Sequence, residues 1–213
     1  SGALRRSWAV IEARQHFVVG TLAAFLIPIS FPALIALAYQ ISPQGGQNYS
    51  VFELISSAGI FTGSLVLSRF ATIGTMRTVG AGLLVTGAFS VAIAMSSMTT
   101  GYAMVIIGIA LFVASVGNPI YTVANQTAIL EAADPSNRGS IMSTRFGLVQ
   151  TASIVGIAVG GLITKQFGPE AAYAVLGVGL VLLAMYAIAA GRSTTNPLHG
   201  AAYEEATLRQ AKT

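Results

Sequence analysis

The sequence has no cysteine and very little charge: 8% of its 213 residues are Asp, Glu, Lys or Arg, about a third of the share found in ordinary soluble domains. The first absence excludes a disulfide framework, a thiolate nucleophile and a zinc knuckle, and leaves the redox compartment unread. The second excludes a soluble fold. The net charge of +4 and pI near 9.7 do not make a nucleic-acid binder, because the basic residues are scattered between apolar stretches instead of forming one stripe. No signal peptide is expected in residues 1–15, which are too charged and too poor in apolar residues. With Ser1 and no Met at the start, the chain is expected to continue a longer one.

What is present is hydrophobic sequence, 54% of the chain, gathered into six stretches each able to cross a bilayer. Length and hydropathy predict spans at 16–41, 51–70, 78–97, 101–130, 146–165 and 171–191. Residues 1–15 then form a linker and 192–213 a polar tail with Tyr203, Glu204 and Glu205. Six spans put both ends on one side. Arg5, Arg6, Arg14, Arg69, Arg77, Arg138, Arg145, Arg192, Arg209 and Lys212 share that side, and Lys165 alone faces the other. The positive-inside rule makes the shared side cytoplasmic, in an integral protein of the plasma membrane. The outer connection Ser42 to Ser50, with Pro43, Gly45 and Gly46, reads as a turn-forming loop.

Split after the third span, the array gives two triplets of opposite membrane orientation, an all-α membrane fold with a 3+3 inverted repeat. Span one carries Pro28 and Pro32, and its counterpart, span four, carries Gly117-Asn118-Pro119. Both lead helices therefore lose a backbone hydrogen bond at depth, and paired interruptions of this kind point to a binding site. Gly59 and Gly63 in span two and Gly156, Gly160 and Gly161 in span five form small-xxx-small spacings, read as close helix packing and not as gating elements.

Between spans two and three stand Ser64, Ser68 and Arg69, then Gly74 and Arg77; between spans four and five stands Asp134-Pro135-Ser136-Asn137-Arg138-Gly139. The first set resembles the major facilitator superfamily loop Gly-x-x-x-Asp-Arg followed by Gly and basic residues, with the acidic member absent here. The second is similar to the family's Pro and Arg-Gly stretch before a long Gly-rich helix. The chain thus resembles one six-helix half of a facilitator transporter, the second half, over about residues 15–191. The resemblance implies cavity-lining roles for spans one and four, an interface between halves beside spans two and five, and lipid-facing scaffold roles for spans three and six. It also implies a gating loop at Arg69, Arg77 and Arg138, and a partner six-helix half, in the same longer chain or by dimerisation. No cofactor or metal is implied.

In span four, Ser115, Asn118, Thr122, Asn125 and Gln126 recur at three- and four-residue spacing with Tyr121 beside them, one polar stripe on an apolar helix. Amides are costly in lipid, so the stripe is expected to line an aqueous cavity and bond a substrate, or else to satisfy neighbouring helices. Gln150 and Ser153 in span five either close the cavity floor or bond across helices. Ser30 and Phe31, with Phe25 and Tyr39, are the contributors expected from span one. Glu53 is a possible coupling acid, since Ser57, Ser64 and Ser68 continue its face. Its expected place in the first turn of span two favours a helix cap instead. His16, opening span one, reads as an interfacial anchor.

These features favour a secondary transporter moving a small neutral or amphipathic solute by alternating access, in the manner of a drug exporter. The alternatives are a six-span scaffold, which the polar stripe opposes, and a channel. The channel would use paired Asn-Pro half-helix ends, but the second such pair, Asn196-Pro197, falls in the polar tail. An intramembrane enzyme lacks its parts: there is no His-Glu-x-x-His segment and no pair of carboxylates within the spans.

Overall fold

The computed structural model describes residues 11–42, 44–69, 75–96, 102–133 and 135–193. The regular structure among them is helical throughout. α1 (Ile11–Leu26), a 3₁₀ turn (Ile27–Ile29) and α2 (Ser30–Ile41) form the first span, and α3 (Gly45–Leu67), α4 (Met76–Met95), α5 (Ala103–Glu131), α6 (Arg138–Phe167) and α7 (Pro169–Ser193) the other five. All six are long and apolar enough to cross a membrane, since a 20-residue helix is about 30 Å long, matching the hydrocarbon thickness. The first ten residues, Pro43, Gly74, Asp134, and the tail with Asn196-Pro197, His199, Tyr203, Glu204 and Glu205 lie outside the described residues.

Two helix starts differ from the sequence expectation. α3 begins at Gly45 and α6 at Arg138, not at 51 and 146, because hydropathy detects where lipid-compatible side chains begin while the helix begins where its backbone bonds do. The segment taken for an outer loop is therefore mostly helix. The Gln44 carbonyl accepts from the amides of Gln47 and Asn48, and Asn48 Nδ2 donates to the Ala38 carbonyl at 3.3 Å, tying the start of α3 to α2. α4 is capped by Thr75, just before it, whose hydroxyl accepts from the Thr78 amide at 3.2 Å.

The two prolines of the first span remove two backbone donors one turn apart, and the chain tightens into the 3₁₀ turn, where the Ser30 hydroxyl donates to the Ile27 carbonyl at 2.7 Å. α5 instead stays helical through Pro119. At the other sharp reversal Gly168 alone joins α6 to α7 with φ +88°, in the left-handed region that glycine enters without a Cβ penalty. Pro169 then opens α7 with its φ already helical.

The helices pack as α3 on α5, α6 on the first span, α4 on α5 and α7, and α7 on the first span. Exchanging the two triplets maps each of these contacts onto another or onto itself, which is consistent with a 3+3 repeat. Two of the close approaches use the same device. Gly59 and Gly63 rest on the carbonyls of Phe112 and Val116, and Gly156 and Gly160 rest on those of Phe25 and Ile29. In both crossings an i,i+4 glycine pair meets backbone one turn apart, as the small-residue spacing predicts. α3 and α6 are the least buried spans. α7, expected as lipid-facing scaffold, buries Tyr173, Leu176, Leu180, Ala184 and Ala187 while exposing Val175, Val178, Leu182 and Met185, so its uniformly apolar sequence hides an inner and an outer face.

Candidate functional site

Five spans converge on a cavity of about 290 Å³. The 3₁₀ turn and α2 supply Ile27, Ser30, Phe31 and Leu34; α3 supplies Glu53, Ser56 and Ile60; α4 supplies Thr86, Ser90 and Ile93; α5 supplies Leu111, Ala114, Ser115 and Asn118; α7 supplies Tyr173 and Leu176. The spacing within each helix is that of one face. Phe31, Glu53 and Ile60 are exposed at the mouth, whereas Thr86, Ser90, Ile93, Tyr173 and Leu176 are buried at the floor.

Glu53 reaches the mouth because α3 starts early. It lies just over two turns, about 12 Å, beyond Gly45, and the first turn of α3 holds no acid. The expected cap is therefore corrected: the carboxylate is too far along the helix to meet its free amides. It acts electrostatically on Tyr173 and on Tyr49, one turn earlier.

The hydroxyls of the wall are mostly committed as donors. Ser30 donates to the Ile27 carbonyl, Thr86 to the carbonyls of Gly82 and Ala114 at 3.0 Å each, and Ser90 to the Thr86 carbonyl at 2.8 Å. Ser56 and Ser115 share one bond of 2.7 Å between α3 and α5. Asn118 Oδ1 accepts from the Thr122 hydroxyl at 3.2 Å. The Tyr173 hydroxyl, on a side chain 2% exposed, has no partner among the described residues.

Of the residues expected at a site, Ser30, Phe31, Glu53, Ser115 and Asn118 meet here. Tyr121, Thr122, Asn125, Gln126 and Gln150 are not on this wall. The polar stripe from Ser115 to Gln126 runs about 16 Å along α5, too far for both ends to share one cavity of this size. Asn125, fully buried, is a helix-to-helix contact: Oδ1 accepts from His16 Nδ1 at 3.0 Å. His16 is likewise buried: α1 begins at Ile11 and carries it into the second turn, where it faces α5 inside the bundle. Tyr121 packs against Gly82, and Arg145, half-buried on α6, lies within electrostatic reach of it. Gln150 is exposed, and the Ser153 hydroxyl donates to the Ala24 carbonyl at 3.1 Å. Arg69, Arg77 and Arg138 are exposed just beyond α3, in the first turn of α4 and at the start of α6.

Sequence reading passed over Thr86, Ser90 and Tyr173. The first two stand four residues apart in an apolar helix, a detectable polar pair; Tyr173 belongs to the spacing 173, 176, 180, 184, 187 that α7 buries.

Residues 16–210, from the second turn of α1 through α7, match the Major Facilitator Superfamily. The chain belongs to that superfamily. Its members are membrane transporters and not enzymes, and this facilitator chain is an integral, multi-pass membrane protein whose six helices are the spans described above. No curated protein and no solved structure matches it. Among its described residues no group of three His, Asp or Glu side chains is placed to hold a metal ion.

Proposed function

We propose that this facilitator chain is one six-helix half of a secondary transporter that moves a small neutral or amphipathic solute by alternating access, as a drug-type exporter does. The observation that carries the reading is the cavity itself: in an otherwise apolar bundle, five spans turn serines, a threonine, an amide and a phenol toward one space, and polar groups at membrane depth are retained where they serve a pathway. Its lining of aliphatic and aromatic walls with a few placed polar groups suits an organic solute. A partner half, from the same longer chain or a second copy, covers the exposed faces of α3 and α6. The two triplets form an inverted repeat, with Arg69, Arg77 and Arg138 on the cytoplasmic side as gating-loop residues.

Transport by the full-length protein reconstituted in vesicles tests the site. Asn118→Ala is expected to slow transport about tenfold, the effect of one lost hydrogen bond of about 1.4 kcal/mol, while membrane insertion stays normal. Wild-type rates in that variant would move the site elsewhere. Orientation is tested separately with single reporter thiols, to which these 213 residues add no native cysteine. A thiol at Arg69 is expected to react only with reagent on the cytoplasmic side and one at Lys165 only from outside; the reverse pattern overturns the topology.

A further inference from the structure

A hydroxyl has one proton and two acceptor lone pairs. Around the cavity Ser30, Thr86 and Ser90 direct that proton to backbone carbonyls, so toward a ligand they can only accept. Glu53, ionised, is acceptor-only as well, and it is the sole Asp, Glu, Lys or Arg on the wall. On the same wall the buried Tyr173 hydroxyl, within electrostatic reach of Glu53, is unpartnered among the described residues, although a buried hydroxyl without a bond is costly. The cavity therefore presents an excess of acceptors, one negative charge and one orphaned phenol, with the aromatic ring of Phe31 at the mouth.

From this arrangement we infer that the cavity selects a protonated amine carried on a compact apolar body, held with its ammonium between Glu53 and Tyr173. The inference rests on the reading of this cavity as the transport site. An ammonium supplies N–H donors to the oxygens of Ser30, Thr86, Ser90 and Tyr173, its charge is matched by Glu53, and Phe31 offers a ring face for cation–π contact. A carboxylate ligand would face Glu53 and a shell of acceptors, with the Tyr173 O–H, Asn118 Nδ2 and the free proton of the Ser56–Ser115 pair as donors. That is a poor anion site.

The test uses the purified full-length protein and three probes with one body: phenethylamine, 2-phenylethanol and phenylacetate, with binding measured by calorimetry at neutral pH. Phenethylamine is expected to bind at least tenfold more tightly than the alcohol, and phenylacetate most weakly. Glu53→Gln should bring the amine-to-alcohol ratio to near one, Glu53→Asp should keep part of it, and Tyr173→Phe should weaken the amine several-fold. Thermal unfolding of each variant confirms that it is folded; Glu53 is exposed at the mouth, and Phe at 173 merely removes an unbonded hydroxyl. Equal binding of amine and alcohol, a preference that survives Glu53→Gln, tighter phenylacetate, or no binding of any probe overturns the inference. If amine and alcohol bind alike and Asn118→Ala weakens both, the transport site stands and only its amine selectivity falls. If no probe binds and Asn118→Ala transports normally, both readings fall.

Discussion

Gly156→Ala should destabilise the bundle by about 1–3 kcal/mol, the usual cost of overpacking, even though alanine is the better helix former by about 1 kcal/mol. A Cβ at 156 meets the Phe25 carbonyl, and one at 160 meets that of Ile29. Both obstacles are backbone, so relief requires α6 to lift from the first span and take with it the tight contact that substitutes for hydrophobic driving force in lipid. Gly161, the next residue, is the internal control, because a Cβ there meets nothing within 4 Å. Gly161→Ala is expected to leave the thermal midpoint in detergent unchanged or slightly raised, and the Gly156→Ala/Gly160→Ala double variant to lose most of its folded yield. Equal melting of the 156 and 161 variants would show that the crossing is looser than its backbone contacts imply.

The second large effect is expected at the buried bond between His16 and Asn125. His16→Leu or Asn125→Leu alone takes this bond from the other buried side chain, at a cost of about 1–3 kcal/mol. Removing both is expected to cost clearly less than the sum of the two, since the one bond that both single variants lose is counted twice in that sum. A double-mutant cycle on unfolding midpoints measures this, and strict additivity would mean that the contact carries no coupling. Asn125 also packs its amide against Gly20, so the residue fills space as well as bonding. Its replacement should act first on stability, whereas Asn118→Ala should act first on transport.

The spans and the superfamily were legible because lipid imposes length, hydropathy and charge asymmetry on the sequence directly. The glycine crossings were legible for the same reason, as small residues at i,i+4 have few other uses in an apolar helix. The site was legible only in part. Asn118, Ser30, Phe31 and Glu53 were singled out by polarity or by their nearness to proline, and they do converge. Asn125 and Gln126 share the α5 stripe but not the cavity, because a stripe records the side of a helix and not the depth at which its neighbours leave a gap. Glu53 was misplaced because polar residues Gly45 to Ser50 hid two helical turns. Tyr173 was hidden by its surroundings: on a helix apolar all round, nothing in the pattern tells an inward phenol from the outward one at Tyr186.

Gly168 has a mechanical consequence. With one residue between them, the adjoining ends of α6 and α7 cannot separate, so any swing of α6 pivots there and grows along the helix. Over its 30 residues, about 45 Å, a tilt of 10° carries the far end about 8 Å. That far end is Arg138, at the mouth of the connection from α5. The helix is thus a lever pinned at one tip, and the largest displacement it transmits falls on the end that carries Arg138, not on the cavity.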